Sequence, residues 1–170
     1  MSRIRRHEAK VALTFILVST LTAALTAGIP GGAAHARAAL DFGFDPGTPR
    51  PSDVLALVLT NSKAVALPTL AAIVAGRTIG RRYGDLLLAA TLAPNAIHIG
   101  IAFGAYGPRL APWTPHLPLE ILGMAIAAGA YLRTDPHAST AQPRVARASL
   151  VLAVLTAAAL VETYCTPVRP

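Results

Sequence analysis

The sequence predicts an all-α fold, a polytopic membrane bundle of about five spans, or four if the first segment is cleaved. Two observations carry this prediction. The 170 residues are 54% hydrophobic and only 14% charged, which is too apolar for an ordinary soluble domain of this size. The charged residues also gather between long uncharged runs, as they do at the ends of membrane helices. The predicted location is therefore the cell membrane, crossed several times by the chain.

Residues 1–36 form the first segment, in which a cluster of Arg and Lys precedes an apolar run that starts at residue 11. Ala34-His35-Ala36 matches the A-x-A cleavage site of a secretory signal peptide. The stretch 11–29, however, is close to the roughly 20 residues that cross a bilayer and is longer than a typical signal core. We expect a retained transmembrane segment, with the signal peptide as the alternative.

Residues 37–53 are rich in Pro and Gly and are predicted to be an external loop. Ser52 is then the predicted N-cap of a short apolar segment that ends at Asn61-Ser62-Lys63. We expect an interfacial helix there, followed by a tilted span up to residue 79, with a broken span as the alternative. Asn61 itself is interpreted as a helix cap.

Three further spans complete a predicted membrane domain over residues 54–167. The connectors between them are charged or contain several Pro residues. The third span also offers a face of small residues for close helix packing: Ala93, Ala96, Gly100 and Gly104. The spans are predicted at residues 86–104, 120–132 and 148–164, and the connectors at 76–85, 106–118 and 133–147.

The distribution of basic residues predicts the orientation. With five spans, ten of the 15 Lys and Arg residues fall on the side of the N-terminus. The side with more basic residues faces the cytoplasm. The N-terminus is therefore predicted inside and the C-terminus outside, and cleavage of the first segment would not change the orientation of the remaining spans.

A few polar residues stand out within the apolar runs. Glu120 heads an otherwise uncharged helix, and Glu162 lies near the end of the last span. With a rise of 1.5 Å per residue, both acids fall in the outer half of the bilayer, where each needs a polar partner. We therefore predict that Glu120 and Glu162 lie close together, near His98 or Asn95. The candidate polar site comprises Asn61, Asn95, His98, His116, Glu120 and Glu162.

Composition and motifs exclude several functions. The net charge of +7 fits topology better than nucleic-acid binding, because the basic residues lie at the ends of apolar runs. A single cysteine, Cys165, cannot form an internal disulfide. His98, His116 and the two acids are of the right type for zinc, but no H-E-x-x-H motif is present. We expect no cofactor and no metal, and an intramembrane metal hydrolase is the weakest alternative.

Three stretches resemble the stage II sporulation protein M family of integral membrane proteins. They are TNSKAVA at residues 60–66, PHLPLE at 115–120 and AAALVETYCTP at 157–167. The second is similar to a Pro-His-Gly-x-x-Glu motif of that family, although Leu117 stands where Gly is common. The third is similar to an Ala-rich helix that ends in an acid, an aromatic residue and a Pro.

The resemblance implies a non-enzymatic scaffold or assembly factor of the cell envelope. Its expected partners are the lipid bilayer and membrane or envelope proteins, such as cell-wall hydrolases, and a homo-oligomer is left open. In spore formers the namesake recruits cell-wall-degrading enzymes during engulfment. The alternative is a transporter-like or permease subunit that uses the intramembrane polar site.

Overall fold

Every element of the computed structural model is helical within the residues it describes, 3–40, 50–132 and 142–166. The all-α prediction is therefore confirmed for this part of the chain. The elements are α1 Arg3–Gly28, α2 Gly32–Ala39, α3 Pro51–Thr78, α4 Arg81–Tyr106, a 3₁₀ helix Gly107–Trp113, α5 Leu117–Leu132 and α6 Gln142–Cys165.

Four of the described helical segments are long and apolar enough to cross a membrane. They lie at His7–Gly28, Pro51–Ala75, Arg81–Trp113 and Ala146–Cys165. The helix headed by Glu120, which the sequence predicts as a fifth span, has 16 described residues as α5, and the residues after Leu132 lie outside the described part of the chain. At 1.5 Å per residue this described part is about 24 Å long, compared with about 30 Å for a hydrocarbon core.

The core of the bundle is built around α5. Seven consecutive residues of this helix, from Gly123 to Gly129, are buried, and Tyr131 is only 1% exposed. A helix that is apolar on all sides is suited to such a central position. Helices α1, α3 and α6 all contact it, and small residues allow their close approach. The largest buried cluster draws on five helices: Phe15, Val65, Ala96, Met124, Ile126, Ala127, Val151 and Leu155.

Helix α1 packs on α4 through two glycines one turn apart. A Cβ placed on Gly100 would lie 2.5 Å from the carbonyl oxygen of Ser19, and one on Gly104 would lie 2.6 Å from that of Ala23. The backbones of the two helices are therefore in contact here, which only glycine allows. This is the packing face that we expected on the third span.

The predicted break at Asn61-Ser62-Lys63 is wrong, because α3 runs without interruption from Pro51 to Thr78. The Asn61 amide bonds a side chain of another helix and caps nothing. Helix α3 also starts earlier than expected, since Pro51 occupies its first turn and Asp53 Oδ2 accepts a hydrogen bond from the Arg50 N–H at 2.9 Å. That bond takes the capping role we assigned to Ser52.

The predicted loops contain more helix than expected. Helix α2 extends into the loop predicted for 37–53, and the Arg37 guanidinium donates to the Ala105 carbonyl at 3.1 Å. Pro-rich residues 107–113 form a 3₁₀ helix, whose tighter turn accommodates its prolines. Among the described residues, α6 runs back to Gln142 and includes Pro143, earlier than the span predicted from residue 148. Residues 41–49 and 133–141 of these predicted loops lie outside the described residues.

Candidate functional site

Three helices bring four polar side chains to one end of the bundle. His116 lies in the turn before α5, and Glu120 follows in the first turn of that helix. Their spacing of four residues places both on one face, and the Glu120 N–H donates to the His116 carbonyl at 3.2 Å. Glu162 comes from the last turn of α6, and Asn61 from the interior of α3. We call these four residues the polar cluster.

Distances within the polar cluster are short. Asn61 Nδ2 donates a hydrogen bond to Glu120 Oε1 at 2.7 Å. His116 Nε2 lies 4.0 Å from Glu162 Oε2. One ligand atom from each of His116, Glu120 and Glu162 can be chosen so that all three lie within 4.8 Å of one another. The side chains are mostly buried, with exposed fractions of 13% for His116 and 32% for Glu162.

The electrostatics of the polar cluster are dominated by burial and by the two acids. Burial lowers the pKa of His116, and the Glu120 carboxylate opposes this shift without reversing it. The imidazole is therefore neutral at pH 7. Among the described residues, no Lys or Arg pairs with either carboxylate. The N-terminus of α5 offers Glu120 only the partial positive charge of its first turn.

A cavity of about 230 Å³ opens next to the polar cluster. His98 and Trp113 line it together with His116, Glu120 and Glu162, and most of its other lining residues are apolar. It is large enough for several water molecules or a small solute. Three of the four residues of the polar cluster therefore line a cavity.

The six predicted site residues do not all meet. Four of them form the polar cluster, and His98 lines the adjoining cavity outside the group of close ligand atoms. Asn95 does not join them, because its amide donates to the Thr91 carbonyl of its own helix at 2.9 Å. Thr91 in turn donates to the Leu87 carbonyl. The side chains of Thr91 and Asn95 thus donate hydrogen bonds within their own helix.

The structure contains a second cluster that we did not predict, at the opposite end of α5. The Tyr131 hydroxyl donates to Asp85 Oδ1 at 2.7 Å, and the Arg81 Nε lies 3.3 Å from the same oxygen. The Arg81 guanidinium also lies over the Tyr131 ring, 4.5 Å from its centroid. We interpreted residues 76–85 as a charged turn, and only the i, i+4 spacing of Arg81 and Asp85 indicated a pair.

The polar cluster can perform three kinds of chemistry. Its two carboxylates and neutral imidazole can bind a cation, accept and release a proton, or receive hydrogen bonds from a partner. The four residues of the polar cluster include no Ser, Cys or Lys that could act as a nucleophile. Comparisons of the chain with protein-family models, with curated proteins and with solved structures gave no match.

Proposed function

We propose that the chain is a non-enzymatic integral membrane scaffold or assembly factor of the cell envelope, with its N-terminus inside and its C-terminus outside. The observation that carries this proposal is the separation of the two polar clusters by α5. Residues 121–130 of that helix contain no ionisable side chain, and seven of them in a row are buried. Within the described residues, α5 therefore provides no polar path between the two clusters.

The surface of the long helices supports the same proposal. Large apolar side chains point outward on α1, α3, α4 and α6, as expected for helices that contact lipid or other membrane proteins. Examples on four different helices are Leu17, Leu55, Leu86 and Leu152. The resemblance to the stage II sporulation protein M family adds cell-wall hydrolases as the expected partners and stays a prediction.

The proposal is tested by affinity purification from cross-linked cells in a mild detergent. We expect one membrane or envelope protein at a fixed stoichiometry with the tagged chain. A tagged, unrelated four-span protein at the same expression level is the control. The scaffold is refuted if no such partner is found and the purified chain by itself hydrolyses or transports a substrate.

A transporter-like subunit is the second candidate, and the cavity beside Glu120 and Glu162 favours it. Acids in such cavities serve as proton and ion sites in transporters. Vesicles that contain the purified chain and a pH-sensitive dye test this alternative. A proton flux that is lost in Glu120→Gln and Glu162→Gln, and kept in the cavity-lining variant His98→Gln, would replace the scaffold with the transporter.

A further inference from the structure

We propose that His116, Glu120 and Glu162 bind one divalent transition-metal ion, for which zinc is the natural probe, and that Asn61 holds Glu120 in place for it. The ion would join the start of α5 to the end of α6. This inference replaces our expectation that the chain holds no metal. It does not depend on whether the chain is a scaffold or a transporter.

The geometry is close to that of a metal site. Imidazole and carboxylate ligands bind zinc at about 2.0–2.2 Å, so that two ligand atoms on one ion lie roughly 3.3 Å apart. The three candidate atoms lie within 4.8 Å of one another. The end of a Glu side chain turns over a broad range at little cost, and small rotations of the two acids close the remaining gap.

The charge of the site also calls for a cation. Two carboxyl groups lie in the polar cluster, and no described Lys or Arg forms a salt bridge with either of them. An unpaired carboxylate in a mostly apolar, half-buried position is costly, and a pair of them is more so. One divalent ion balances this charge. The alternative, two acids kept neutral by bound protons, is separated from it by the experiment below.

One polar atom of the cluster itself lacks a hydrogen-bond partner. Among the described residues, five buried side-chain atoms lack a hydrogen-bond partner, and one of them is His116 Nδ1. Three more belong to residues close in sequence to the polar cluster: Ser62, Thr163 and Thr166. Buried polar groups without partners call for water or an ion to satisfy them. A hydrated metal ion beside the cavity would bring both an ion and water molecules to these groups.

Asn61 acts as a positioning residue in this proposal. Its amide donates to Glu120 Oε1 at 2.7 Å, which fixes the carboxylate and leaves its second oxygen for the ion. Carboxylates that bind metals are commonly oriented by such hydrogen bonds, and loss of an orienting group lowers metal affinity roughly 10-fold to 100-fold. The cavity provides an entry path and room for water as the remaining ligand.

The experiment measures metal content directly. The protein, carrying a tag without histidine, is purified in detergent, stripped with a chelator, loaded with zinc and desalted before elemental analysis. We expect about one zinc per chain. Three variants, His116→Gln, Glu120→Gln and Glu162→Gln, should lose it, and Asn61→Ala should bind at least about 10-fold more weakly. His98→Gln is the matched control, because His98 lines the same cavity outside the ligand group.

Two further measurements distinguish the loss of metal binding from the misfolding of a variant. Cobalt bound in place of zinc has a visible absorption spectrum that reports its ligands, and this spectrum should be present in wild type and His98→Gln and absent from the three ligand variants. Zinc should raise the thermal unfolding midpoint of the same two proteins. The proposal is overturned if wild type retains no stoichiometric zinc, or if it retains zinc that Glu120→Gln and Glu162→Gln bind equally well.

Discussion

Substitution of Gly100 by alanine should destabilise the fold, because α1 leaves no room for a side chain at this position. The added Cβ would meet the Ser19 carbonyl oxygen at 2.5 Å and the Thr22 Cβ at 2.6 Å. Ordinary van der Waals contact begins at 3.4 Å. The first obstacle is backbone, which cannot rotate away, so α1 and α4 must move apart along their contact.

The expected cost combines two opposing effects. Inserting a methyl group into a well-packed contact costs about 1–3 kcal/mol. Alanine recovers up to about 1 kcal/mol through its higher helix propensity, as measured in water. We therefore expect a net loss of roughly 1–2 kcal/mol in the free energy of unfolding. Gly104→Ala should behave similarly, and the double variant should lose less than the sum, since both act on one contact.

Two other glycines provide matched controls. A Cβ on Gly123 would meet the end of the Leu155 side chain at 2.9 Å, and this obstacle is a side chain and not backbone. A Cβ on Gly28 would meet nothing within 4 Å. Gly123→Ala should therefore cost less than Gly100→Ala, and Gly28→Ala should leave stability unchanged or slightly raise it.

The assay is equilibrium unfolding by SDS in mixed detergent micelles, followed by circular dichroism. Mass spectrometry of the purified chain comes first, because cleavage near Ala36 would remove α1 and the contact with it. In an uncleaved chain, equal stability of Gly100→Ala and Gly28→Ala would refute the close packing of α1 on α4. A cleaved chain would instead restore the signal-peptide interpretation of residues 1–36.

The other predictions concern the two polar clusters and the orientation. Asn61→Ala should cost about 1–3 kcal/mol in the same unfolding assay, since it leaves Glu120 without its donor, and an unchanged midpoint would contradict this role. Tyr131→Phe should cost about 1–2 kcal/mol through the lost bond to Asp85, and more than an exposed Tyr→Phe change elsewhere. Cys165 is the single cysteine and is exposed, so a membrane-impermeant maleimide should label it in intact cells. Labelling that requires permeabilised cells would reverse the predicted orientation, with Cys165→Ser as the background control.

The helices could be predicted from the sequence because their signal is local. Long uncharged runs between basic or Pro-rich connectors indicate α1, α4 and α6 without any knowledge of tertiary contacts. The limits of α3 could not be predicted in the same way. A polar triplet such as Asn61-Ser62-Lys63 fits a helix end as well as a helix interior. The choice depends on Glu120, a partner 59 residues away that the local pattern does not reveal.

The polar cluster could be predicted in part, because the sequence indicates which acids need partners but not which donors reach them. Acids in apolar runs require partners, and helix rise alone assigns Glu120 and Glu162 to similar depths. Which donors reach them depends on helix rotation. Asn95 has the right depth but bonds its own backbone, whereas Asn61 was interpreted as a cap and is the donor to Glu120. Residue type and depth thus restrict the candidates, and packing selects among them.

Side chains near both described ends of α5 contact other helices. At its N-terminal end Glu120 is held by α3 and lies against α6, and at its C-terminal end Tyr131 bonds α4. The small, buried middle section of α5 lets the long helices close around it. A metal ion at the Glu120 end would fasten α6 to the same helix, which gives the polar cluster a structural role whatever partner or solute the protein binds.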